Sequence, residues 1–71
     1  MGRLRAGNGE FVYQLASDVG FNGIRLEVLT IEGDVWFDVS LPEEGELSVN
    51  TFSNDVPHEV VLAAIALIGR R

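Results

Sequence analysis

Two β-rich runs set the reading of this chain. Ile24-Arg25-Leu26-Glu27-Val28-Leu29-Thr30-Ile31 is followed by Glu32-Gly33-Asp34 and then by Val35-Trp36-Phe37-Asp38-Val39-Ser40-Leu41. Both runs are rich in β-branched and aromatic residues and both alternate, as half-buried strands do. A Gly-Asp pair is an accepted two-residue hairpin loop. With Gly33 and Asp34 as that loop, Thr30 pairs with Phe37, Val28 with Val39 and Leu26 with Leu41. One face then carries Leu26, Val28, Phe37, Val39 and Leu41, and the other carries Arg25, Glu27, Asp38 and Ser40 with Leu29, Ile31 and Trp36. A slip by one residue would turn the apolar set to water, so the pattern specifies which face is core.

Weaker strands flank the hairpin. Phe11, Tyr13 and Leu15 alternate with Val12, Gln14 and Ala16, and the turn-forming stretch 17–23 joins them to Ile24, with Phe21 expected to tuck against the core edge. After the turn Pro42-Glu43-Glu44-Gly45, residues 46–52 read as a fourth strand. Only a connection of odd length brings Leu47, Val49 and Thr51 to the core face and leaves Glu46, Ser48 and Asn50 wet. Residues 1–9, with three glycines, Asn8 and two arginines, show no period and read as a flexible arm, which leaves 10–71 as a single domain.

The last element is a helix. Ser53-Asn54-Asp55 stops the preceding strand and offers Asp55 or Asn54 as a cap, Pro57 suits a first turn, and Glu59 complements the positive end of the dipole. Gly69 suits the far end, where Arg70 and Arg71 complement the negative end. The expected fold is therefore α+β: a four-stranded antiparallel β-meander with one C-terminal helix packed on one face. On a helical wheel Val61, Ile65 and Ile68 form one stripe, Val60, Ala64 and Leu67 its neighbour, and Leu62 with Ala66 runs round the back. That is more apolar surface than one sheet face can hide, because a helix lying on a sheet normally turns a polar side to water. The expectation is a homodimer joined through Leu62, Ala63, Ala66 and Leu67.

A chain of 71 residues buries only roughly 60% of its unfolded surface. Domains of that size borrow stability from disulfides, a metal or a second subunit. With no cysteine and one histidine, disulfides are ruled out and no metal or other cofactor is expected, so a second subunit remains. Eleven Asp and Glu stand against five arginines and no lysine, a net charge of −6. That field disfavours free nucleic acid and favours basic partners. The longest apolar run, residues 60–68, is far below the ~18 residues of a membrane span, and no apolar stretch follows the N-terminal arginines as in a secretory signal; a cytoplasmic location is expected.

No catalytic motif stands out. Ser53, Asp55 and His58 could be drawn as a triad, but they crowd one capping turn and lack a nucleophile elbow or an oxyanion loop. Glu32, Asp34, Glu43, Glu44 and Glu46 lack the alternate ligand positions and closing glutamate of a calcium loop and read as solvated turn carboxylates. The pattern instead points to a non-enzymatic binding protein. Trp36 and Ile31 with Glu27, Asp38 and Arg25 would form an apolar patch on an acidic sheet face, the arrangement of a hot spot for a basic protein partner, unless the first strand or the N-terminal arm covers Trp36. An inhibitor or regulator of such a partner, in the style of small phage-borne inhibitors and DNA mimics, is the function expected. The alternatives are an assembly subunit docking through its apolar helix and, below it, a small ligand-binding or enzymatic domain built across a dimer interface.

Overall fold

The computed structural model describes residues 1–18 and 21–69, without the side chains of 17, 18 and 21. The chain forms β1 (Gly2–Ala6), β2 (Gly9–Asp18), β3 (Phe21–Leu29), β4 (Val35–Pro42), β5 (Ser48–Asn50) and α1 (His58–Ile68). The strands make one antiparallel sheet in sequential order, and the helix lies on one face of it against β1, β3 and β4. The α+β meander with its C-terminal helix is as the sequence predicts, but the sheet has five strands and not four.

The added strand is the stretch expected to be a flexible arm. Gly2–Ala6 pairs with β2 through a two-residue turn, Gly7-Asn8, with Leu4 opposite Phe11 and Arg5 opposite Glu10. Gly7 takes φ +57°, at the loop position where a II′ hairpin requires glycine. Leu4 is 5% exposed and belongs to the core with Leu26, Val28, Phe37, Val39, Val60, Ala64 and Ile68. Alternation is legible over only one apolar residue here, which is why composition alone suggests an arm.

The central hairpin keeps its faces and changes its register. Val28 pairs with Phe37, Leu26 with Val39 and Ile24 with Leu41, a shift of two residues from the expected ladder. An even shift preserves the side each residue faces. Its cause is a larger loop: Gly33 N–H donates to Thr30 O (2.9 Å), Thr30 N–H donates to Asp34 O (2.7 Å), and Gly33 has φ +93°. This is the three-residue hairpin loop in which a turn is followed by a left-handed glycine. A second irregularity follows at once, because Leu29 pairs with Val35 while Val28 pairs with Phe37, leaving Trp36 as a bulged residue.

Val49 faces Val39, so β5 presents the expected side to the core. It ends at Asn50, short of the predicted Phe52. Thr51 to Asn54 form a turn closed by Asn54 N–H to Thr51 O (2.9 Å), with Phe52 at φ 54° and Ser53 at φ 66°. The helix starts one residue after Pro57, which is the N-cap and makes no side-chain capping bond; its carbonyl accepts from Val60 and Val61. Asn54, offered as a cap by sequence, instead donates Nδ2 to Trp36 O at 2.8 Å. Val60, Ala64 and Ile68, spaced by four, form the buried line. The complementing role expected of Arg70 and Arg71, and the packing expected of Phe21, lie outside the described residues and side chains.

Two consequences are measurable by urea unfolding. Leu4→Ala costs about 2–3 kcal/mol, as for a buried leucine, whereas truncation in a loose arm would cost nothing. Replacing Phe52-Ser53 by Asn-Gly raises stability by about 1 kcal/mol, because both positions sit in the left-handed region.

Candidate functional site

The bulge sets where Trp36 lies. In an undisturbed strand Trp36 would share a face with Asp38. The extra residue takes it out of that alternation, and its ring stacks on Phe11 (centroids 5.5 Å, 29°) and meets Phe37 edge-on (5.5 Å, 74°). Beside this stack a cleft of about 500 Å³ opens, lined by Glu10, Phe11, Val12, Leu29, Thr30, Ile31, Glu32 and Trp36. Ile31 caps the hairpin tip and is 99% exposed. Ile31 takes no part in the hydrophobic core. Glu32 beside it and Glu10 across the cleft supply carboxylates.

The polar side of the sheet continues from the cleft, whose Glu10, Val12 and Leu29 lie on it. Gln14, Glu27 and Asp38 lie in one cross-strand row, and Ala16, Arg25, Ser40 and Ser48 in the next. Gln14 Nε2 donates to Glu27 Oε1 at 2.7 Å and Arg25 Nε donates to Ser40 Oγ at 3.4 Å. Asp38 and Ser40 are buried among these neighbours. Burial pushes the Asp38 carboxyl above its usual value; the Arg25 charge opposes that and the Glu27 charge adds to it. On β1 and β2, Arg3 Nη1 meets Glu10 Oε1 at 2.9 Å and Arg5 Nε meets Glu10 Oε2 at 3.5 Å, chiefly through the Arg3 hydrogen bond lowering the Glu10 pKa.

The structure thus splits the sequence-predicted patch. Arg25, Glu27 and Asp38 stand together, while Trp36 and Ile31 belong to the cleft at the hairpin tip. The sheet face is also not the acidic surface that net charge suggested: Arg3, Arg5 and Arg25 share it with Glu10, Glu27 and Asp38. The surplus carboxylates sit in turns and at the helix start, at Glu32, Asp34, Glu43, Glu44, Glu46, Asp55 and Glu59. Of the helix positions, Leu62 is 58% exposed and Ala66 is exposed, while Ala63 and Leu67 are half-buried. Ala63, Ala66 and Leu67 line a groove of about 290 Å³ with Arg3, Leu4 and Arg5.

The sequence-predicted first strand is the cover that the sequence allows for Trp36, and its Phe11 stacks on it; Phe11, Val12 and Glu10 as its particular neighbours are not legible in sequence, since that adjacency needs both the bulge and the long loop. Sequence reasoning missed the β1 groove for want of β1, although Arg3-Leu4-Arg5 before Gly7-Asn8 is an alternating strand ahead of a hairpin dipeptide. Ser53, Asp55 and His58 are all exposed and no hydrogen bond joins them. Among the described residues no three His, Asp or Glu side chains gather as metal ligands would, and no helix is long and apolar enough to cross a membrane. Comparison with known protein families, with curated proteins and with solved structures finds no match to this chain.

The Asp38 environment gives a pH signature. A carboxyl whose folded pKa is raised adds stability below its unfolded value, near 3.9, and loses it as pH rises through the folded value. Asp38→Asn therefore raises the urea midpoint around pH 7, and the advantage over the parent shrinks on acidification toward about pH 4. Glu10 runs the other way, its ion pairs being lost as pH falls through its lowered pKa, so Glu10→Gln flattens the acid limb.

Proposed function

We propose that this protein is a non-enzymatic protein-binding module whose contact surface is the cleft between β2 and the tip of the β3–β4 hairpin. The observation that carries this reading is Ile31, fully exposed beside a stacked Trp36–Phe11 pair and next to Glu32. Large apolar side chains that a fold does not need, around a tryptophan and with carboxylates at the margin, are what a hot spot for a basic partner consists of. The partner inserts an apolar anchor between Ile31 and Trp36 and sets lysine or arginine near Glu32. Acting by occupancy, such a module inhibits or regulates the protein whose basic surface it covers.

Self-association through α1 is a second reading, favoured by the exposure of Leu62 on the crest of the helix. Light scattering on the pure protein at micromolar concentration decides it: a dimer mass that reverts to monomer in Leu62→Asp supports it, and a monomer of the parent removes it.

Trp36 is the single tryptophan of the chain, so its emission reports the cleft directly. A blocked peptide of lysines around one leucine should shift that emission saturably, and ~0.5 M salt should weaken the effect by screening. Ile31→Asp should reduce the affinity about tenfold and leave the urea midpoint unchanged, as expected for a side chain with no packing role. An emission that does not respond, or a response indifferent to Ile31→Asp, overturns the cleft as the site.

A further inference from the structure

Among the described residues no strand pairs with the outer side of β1, and the surroundings of this edge differ from those of an ordinary blocked edge. The Ala6–Gly9 pair closes a two-residue hairpin, so residues 2, 4 and 6 exchange hydrogen bonds with β2. The backbone groups of Arg3 and Arg5 consequently point to the open side. Along that side runs the groove lined by Arg3, Leu4, Arg5, Ala63, Ala66 and Leu67. Ala63 and Ala66 are small enough to leave room for another chain beside β1. The two guanidiniums share a single carboxylate, Glu10, and their side chains are 73% and 86% exposed. Two arginines on one glutamate leave a positive charge along this edge of an otherwise acidic protein, with the Glu59 carboxylate standing beside Gly7 at the end of the strand.

We infer that the β1 edge receives an extended segment of another protein, added as a further strand and alternating acidic with apolar residues. The alternation follows from the pleat. Residues opposite Arg3 and Arg5 fall on the arginine side of the sheet, where Asp or Glu pairs with them. The residue between them, opposite Leu4, points to the helix side and packs on Ala63, Ala66 and Leu67. Main-chain bonds to Arg3 and Arg5 supply affinity and the two side-chain rows supply specificity. The β1 strand of a second copy is a poor occupant: a two-fold pairing with both helices on one side sets arginine opposite arginine, and like charges directly opposite destabilise. The groove and the Ile31–Trp36 cleft have different linings and meet at Glu10, which borders the cleft and pairs with Arg3 and Arg5, so the location of the shifted signals tells the two proposals apart.

The test uses the full chain in solution and a short blocked peptide that alternates glutamate and valine, with a lysine–valine peptide as control. The acidic peptide should shift the amide signals of Arg3 and Arg5 and the methyl signals of Ala63, Ala66 and Leu67 saturably, and slow hydrogen exchange at the two arginine amides. The lysine peptide should do neither. Arg5→Gln should weaken binding about tenfold through lost charge. Arg5→Pro should weaken it further, because it also removes an outward amide, while leaving the Leu4 and Phe11 amides in their ladder. Should Arg5→Pro loosen β1, the exchange measurement on the parent protein decides alone. Equal affinity of the Gln and Pro variants with Leu4 and Phe11 still laddered, shifts confined to the Trp36 cleft, or the same edge shifts produced by raising protein concentration alone would each overturn the inference, the last in favour of a second copy.

Discussion

A single helix covering a five-stranded sheet is the constraint on which the rest of this structure depends. Eleven residues of helix are about 16 Å long and 10 Å across, while five strands spaced about 4.8 Å apart span roughly 19 Å. The helix seals the middle of the sheet. Leu26, Val28, Phe37 and Val39 are fully buried under Val60, Ala64 and Ile68. Toward the margins the cover fails: Leu15 and Val49 lie in rows with Leu26 and Val39, yet each is more than a third exposed. Surface that α1 cannot reach is covered by side chains from the strands, as Trp36 covers Phe11, or it stays open, as along β1.

How far the sequence discloses this depends on parity. The hairpin faces are legible because a larger loop moved the ladder by two residues, which changes partners and spares faces. The connection into β5 is legible for the same reason, since only an odd length puts Val49 opposite Val39. Trp36 is not legible, because a bulge changes the count by one and a count of one reverses the side. The cap is not legible either: Asn54 and Asp55 are suitable residue types, but Asn54 is engaged with the backbone of the bulged residue, 18 positions earlier in sequence. β1 escapes notice because a short edge strand has one core position, Leu4, between residues that belong to solvent.

Net charge misleads in a similar way. The chain carries −6, yet the open side of the sheet is balanced, with arginines and carboxylates in adjacent rows. Pairing is forced there because Glu27 stands directly opposite Asp38, and two bare carboxylates at that spacing repel. Gln14 donating to Glu27, Arg25 nearby and a raised Asp38 pKa are three parts of one accommodation. Turns and the helix start have no such neighbours, so the surplus acids collect in them. The field of this protein is thus strongest at its loops and weakest over its sheet.

That distribution separates the two surfaces left by the short helix. At the hairpin tip, apolar side chains stand next to Glu32 and Asp34; at the β1 edge, they stand next to two arginines on one glutamate. Each combines exposed hydrophobic area, which is indifferent to the identity of a partner, with local charge, which is not. On the two proposals made above, a basic protein steered to the tip is repelled from the edge, and an acidic strand drawn to the edge is repelled by the turns. On those two proposals the opposite local fields keep the chains apart, and Glu10, which borders the cleft and pairs with both arginines, is where the two surfaces meet.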